Sequence, residues 1–107
     1  MPINDDDKDD DIRERGLNGF CTRDVFAFDT YLAKVISGGV AKLRARGGST
    51  PGNKEADEWD EILEKIESGF AKYAIDSDGG MYFGYEQTPE FIEAMELFQR
   101  HFSGLWD

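Results

Sequence analysis

Cysteine is nearly absent from this chain: Cys21 stands alone among 107 residues. A single thiol can neither close an intramolecular disulfide nor build a zinc site. A lone thiol of this kind is expected to be buried and structural. Histidine is as scarce, with His101 alone. No Ser or Cys in a nucleophile motif accompanies it, so a catalytic triad has no footing, and a helix-end or packing role is expected. No apolar run approaches the roughly 20 residues that a membrane-spanning helix needs. The first residues are acidic and lack an apolar stretch, so no secretory leader is read there and a cytoplasmic location is expected. Bases are few, 12 Lys and Arg against 23 Asp and Glu, for a net charge of −11. That balance disfavours direct contact with nucleic acid or anionic membranes and favours partners with basic surfaces, including proteins with nucleic-acid-binding clefts.

What the chain does have is aromatic side chains and acid, unevenly spread. Eight Phe, four Tyr and two Trp make up 13% of the residues. Each ring can remove roughly 150–250 Å² from water, so a few suffice for the modest core of one small domain. Residues 1–15 hold seven acids and three bases, residues 16–52 two acids and five bases, and residues 53–107 fourteen acids and four bases. The first segment reads as a disordered acidic tail, because its aspartates repel one another and only Ile3 and Ile12 offer burial. Residues 16–107 read as a single domain.

Periodicity makes that domain helical. From Thr22, a plausible N-cap, to about Arg46, the residues Val25, Phe28, Leu32, Val35, Ile36, Val40 and Leu43 recur at spacings of three and four, one stripe of an amphipathic helix. Gly38 and Gly39 interrupt it at a cost of about 2 kcal/mol against Ala, which calls for a kink or the close approach of another helix. Lys42, Arg44 and Arg46 suit the negative helix end. The stretch from Gly47 to Gly52 is a loop by composition. A second helix is expected from about Lys54 to Ala74, with Trp59, Ile62, Leu63, Ile66, Phe70 and Tyr73 inward and Asp57, Asp60, Glu61, Glu64 and Glu67 largely outward. Residues 76–87 open on a turn and continue as a short aromatic loop or strand pair. Thr88 then caps a third helix with Pro89 at its first position, where the missing N–H costs nothing. Phe91, Met95, Phe98 and Phe102 form its stripe. The expectation is an all-α fold, a compact bundle of about three helices.

The segment Gly19-Phe20-Cys21-Thr22-Arg23-Asp24-Val25-Phe26, continuing through Asp29, Tyr31, Leu32, Ala33, Val35 and Ile36, resembles a family of small uncharacterised acidic proteins encoded by bacteriophages. Glu58-Trp59-Asp60-Glu61-Ile62-Leu63 and the terminal His101-Phe102 with Leu105-Trp106-Asp107 share the resemblance, which covers roughly residues 19–107. It carries no activity to transfer. It implies a context: an accessory protein acting in the cytoplasm of an infected bacterium.

Within that context the leading reading is a non-enzymatic protein that binds and inhibits a bacterial host or defence protein, such as a CRISPR effector, without a cofactor. Its expected contact residues are Asp57, Asp60, Glu61, Glu64 and Glu67, whose carboxylates could imitate the phosphates of DNA, together with the aromatics Tyr82, Phe83 and Tyr85. Lys42, Arg44 and Arg46 could instead pair with these acids inside the molecule. A second reading is a Mg²⁺-dependent nucleotide pyrophosphatase of the MazG type, in which Glu64, Glu67, Glu90 and Glu93 would have to converge on the metal. A third is a homo-oligomeric structural protein. A calcium loop around Asp76, Asp78 and Gly79 fails at two ligand positions, Ala74 and Tyr85.

Overall fold

The computed structural model describes residues 5–47, 50–52, 54–77 and 88–106, with side chains from residue 8 onward. The described residues form α1 (Asp5–Asn18), α2 (Thr22–Val25), α3 (Phe28–Arg46), α4 (Ala56–Ser77) and α5 (Pro89–His101), closed by a 3-10 turn at Phe102–Gly104. No strand occurs among them. The fold is all-α, as the periodicity requires.

Helix α4 is central because it carries the longest inward stripe. Trp59, Leu63, Ile66, Phe70 and Ala74 are all buried. Ala33 and Val40 of α3 and Phe91 and Ala94 of α5 complete one core cluster around them. Phe70 meets Phe91 and Phe98 edge-on, each at 5.4 Å between centroids, the geometry that ring quadrupoles favour. Both α3 and α5 pack on α4, yet their backbones do not approach one another. The two flanking helices run in the same direction. At one end the Tyr73 hydroxyl donates to Asp29 while its ring stacks on Phe91 at 4.5 Å. At the other, Arg44 reaches Asp60 and His101 packs against Trp59. Thr30 and Ser77, both buried, satisfy each other through a 2.6 Å hydroxyl contact.

The α4–α5 crossing is tight at Gly69. A Cβ there would overlap Ala94 Cβ and lie 2.6 Å from the Glu90 carbonyl oxygen. The start of α5 is as expected: Pro89 opens it and the Thr88 hydroxyl accepts the Phe91 N–H at 3.3 Å. Gly47 closes α3 in the left-handed conformation, φ 65°, that only glycine adopts freely.

Several expectations need correction. Residues 5–15, read as disordered, lie within α1, so no structural break falls at residue 15. Aspartates at a helix N-terminus favour its positive end, and long-range pairs hold the rest. Arg15 pairs with Asp24 at 2.7 Å, Arg23 with Asp11 at 2.8 Å, and Glu14 accepts from the Thr22 N–H and hydroxyl. The Arg15 guanidinium holds the Asp24 carboxyl well below the usual carboxylate range. The single helix expected from Thr22 is two, broken at Phe26–Ala27. Its cap is Cys21, fully buried, whose N–H donates to Asp24 at 2.9 Å, while Thr22 is already helical. Only Val40 of the seven stripe residues is buried; Val25, Phe28, Leu32 and Val35 are exposed. Met95 of α5 and Phe102 of the 3-10 turn after it are likewise exposed, and Ala94 is the fully buried residue of α5. Gly38 and Gly39 sit in uninterrupted helix with open space where a Cβ would be. Asp76 and Ser77 belong to α4; the remainder of the expected loop or strand pair lies outside the described residues.

Candidate partner-binding surfaces

The molecule has two unlike faces, set by which side of α4 each occupies. The outer side of α4 is charged. Of the five carboxylates expected to form an open acidic patch, three are gathered by one cation. Arg44 donates to Asp60 at 3.1 Å and to Glu67 at 2.9 Å, and lies 3.9 Å from Glu64. These pairs raise the Arg44 pKa further above its already high value. Glu61 pairs with Lys65 at 3.6 Å, and Lys65 also reaches Glu93 of α5 at 3.2 Å. Asp57 is exposed. The free acidic ladder is therefore a paired network, still with carboxylate in excess and with side chains mostly in water: Asp60, Glu61 and Glu64 keep 57%, 67% and 60% of their exposure. Tyr82, Phe83 and Tyr85 lie outside the described residues.

Of the carboxylates that a metal-dependent pyrophosphatase would need, Glu64, Glu90 and Glu93 line one cleft with Lys65, and Glu67 stands apart from it. Glu67 turns toward α3 and Arg44, while Glu93 sits on α5 beside Lys65, across α4. Among the described residues no three acidic, histidine or cysteine side chains are grouped as a metal would require.

Opposite the acidic face, α3 and α5 stand apart and leave an apolar groove of about 370 Å³. Phe70 and Tyr73 form its floor. Leu32 and Ile36 make one wall, and Met95 and Phe98 the other. Leu32 and Met95 keep 41% and 43% of their exposure, and Val35, Ile92 and Phe102 are more exposed still. Sequence reasoning assigned most of these residues to the core. The signal that could have placed them was the width of the α3 stripe, which from Phe28 to Leu43 covers more of the helix circumference than one neighbour can bury.

His101 closes the far end of α5. Its ring meets Trp59 edge-on at 5.6 Å, bearing out the packing role. Burial, then the charges of Lys54 and Arg100, lower its pKa below 6.5, with Glu58 opposing. The folded chain thus binds fewer protons than the unfolded chain just below pH 6.5, so stability rises with pH in that window and falls on acidification through it. As this is the sole histidine, an NMR titration of its ring protons reads the value directly. A midpoint at or above that of a histidine peptide would contradict the packing described.

No protein family, curated protein or solved structure matches this chain. No helix among the described residues is long and apolar enough to cross a membrane.

Proposed function

We propose that this protein works by binding a bacterial protein through a basic surface on that partner, and not by catalysis. The observation that carries the reading is the outer side of α4. Seven carboxylates stand in its 22 residues against two lysines, and Arg44 adds one positive charge to a cluster of three acids. An excess of exposed carboxylate on a rigid helix steers a basic partner and fixes its register. The resemblance to phage-encoded proteins supplies the context, an inhibitor of a host or defence protein such as a CRISPR effector. Imitation of a phosphate ladder is the weaker version, because Asp60, Glu64 and Glu67 converge on one guanidinium instead of standing free at regular spacing.

The test is the triple charge reversal Asp57→Lys, Glu61→Lys, Glu64→Lys, which leaves the core untouched. Three exposed ion pairs at up to ~1 kcal/mol each predict that capture of the partner from bacterial lysate weakens roughly tenfold or more. Its salt dependence should flatten as well. Capture that is unchanged in strength and salt response would remove the acidic face from the mechanism.

A further inference from the structure

We propose that the hollow where α5 ends beside the chain entering α4 binds a small-molecule phosphomonoester, its phosphate held by Lys54, Arg100 and His101 and its organic part against Trp59 and Pro51. The hollow measures about 370 Å³, within the ~300–1,000 Å³ typical of small-molecule sites. It shares no residue with the apolar groove. In a chain of net charge −11 it gathers three basic side chains and one hydroxyl, Ser103, with no carboxylate on its walls.

Two turns bring these groups together. The Lys54 N–H donates to the Pro51 carbonyl at 3.0 Å, which bends the chain just before α4. The 3-10 turn at Phe102–Gly104 packs against that bend, and Gly104 permits it: a Cβ there would lie 3.4 Å from both Pro51 Cγ and Trp59 Cη2. Lys54 is drawn inward, its side chain 19% exposed, with Glu58 as its ion-pair partner at a long 3.7 Å. The His101 ring is fixed by its edge-on contact with Trp59. Its nitrogens, the exposed Arg100 guanidinium and the Ser103 hydroxyl have no hydrogen-bond partner among the described residues.

The charges at this place are positive on balance. Lys54 and Arg100 stand close enough to His101 to add to the effect of burial on its titration, and Glu58 opposes them less strongly. The positive end of α4 and the negative end of α5 meet here, so the helix ends offset and the side chains set the sign. Cations in the last turn of α5 would answer that helix end without any ligand, but Lys54 comes from another segment and lines the same hollow. A carboxylate offers two oxygens. A phosphomonoester offers three terminal oxygens and about −1.5 to −2 of charge near neutral pH, which suits a guanidinium fork, an ammonium and an imidazole brought from two segments. Trp59 and Pro51 add an apolar wall that inorganic phosphate would leave unused.

The ring protons of His101, the sole histidine, report on the site by NMR of the full chain at constant ionic strength. Phenyl phosphate should shift them saturably, with a dissociation constant on the order of 1 mM or tighter. It should also raise the His101 midpoint, because a bound anion favours the imidazolium. Inorganic phosphate should bind several-fold more weakly, and acetate should give no saturable shift. Arg100→Gln and Lys54→Gln should each weaken phenyl phosphate about tenfold. Lys34→Gln, which removes the same charge from an exposed site on α3, should leave the affinity unchanged. Arg100 is exposed and outside the core, so its variant remains informative should Lys54→Gln disturb the turn. A shift that tracks ionic strength alone overturns the proposal, as does phenyl phosphate binding no tighter than inorganic phosphate. So does an affinity that Lys34→Gln lowers as much as Arg100→Gln, or that neither Arg100→Gln nor Lys54→Gln changes.

Discussion

Gly69→Val unfolds most of the protein, and Gly69→Ala lowers its stability by about 1–2 kcal/mol. Gly69 lies where α4 crosses α5. An alanine methyl would overlap the Ala94 methyl and press on the Glu90 carbonyl, 2.6 Å away. Backbone cannot step aside as a flexible side chain can, so the helices must separate along their length. Overpacking of this kind costs about 1–3 kcal/mol for one methyl and more for a branched side chain. Alanine's better helix propensity returns up to about 1 kcal/mol and does not reverse the sign. Urea unfolding followed by circular dichroism measures both variants. A Gly69→Ala chain as stable as the parent would mean the crossing is looser than described.

Phe70→Ala should cost about 3–5 kcal/mol, the range for emptying a buried phenylalanine site. Phe70 is 3% exposed and meets Phe91 and Phe98 edge-on, so its loss undoes two ring contacts as well as burial. Small domains have only about 5–15 kcal/mol in total, and this substitution brings the chain close to its folding limit. Phe70→Leu retains most of the volume and should lose about 1–2 kcal/mol. The difference between the two variants, measured by denaturant unfolding, separates the cavity from the lost ring contacts. Equal losses would show that the site collapses around the smaller side chain.

The parts of this fold that were legible in the sequence are those governed by neighbours in the chain. The start of α5 could be read because Thr88 and Pro89 act on the residues immediately after them. The inward stripe of α4 could be read because a central helix buries one continuous face. The break at Phe26–Ala27 has no glycine or proline to mark it. The ordering of α1 depends on pairs nine and twelve residues apart, Arg15 with Asp24 and Arg23 with Asp11. Composition shows the repulsion among the aspartates but not the arginines that answer it. The glycines make the same point. Gly38 and Gly39 drew notice as a pair, yet Gly69 is the one pressed against a neighbour, and only the packing distinguishes them.

The acidic face was legible as charge and not as arrangement. A count of carboxylates on α4 does not reveal that Asp60, Glu64 and Glu67 share Arg44, since that residue comes from the far end of another helix. The groove was hidden for a related reason. Leu32, Ile36, Met95 and Phe98 fall on regular stripes, and a stripe shows which side of a helix is apolar without showing whether anything covers it.

The attachment of α1 has a consequence for how the molecule opens. Among the described elements the α1 backbone comes close to α2 alone, with the Arg15 guanidinium also over the Tyr31 ring of α3 at 5.9 Å, and polar pairs exposed to water supply much of that attachment. Hydrogen exchange should therefore be fastest in the amides of Asp5–Asn18 and slowest around Ile66, with the first segment opening while α3, α4 and α5 stay closed. Gly19, exposed and at φ 83° between the two regions, is where a protease should make its earliest cut. Acid should hasten that cut, because protonating Asp24 removes the partner of Arg15.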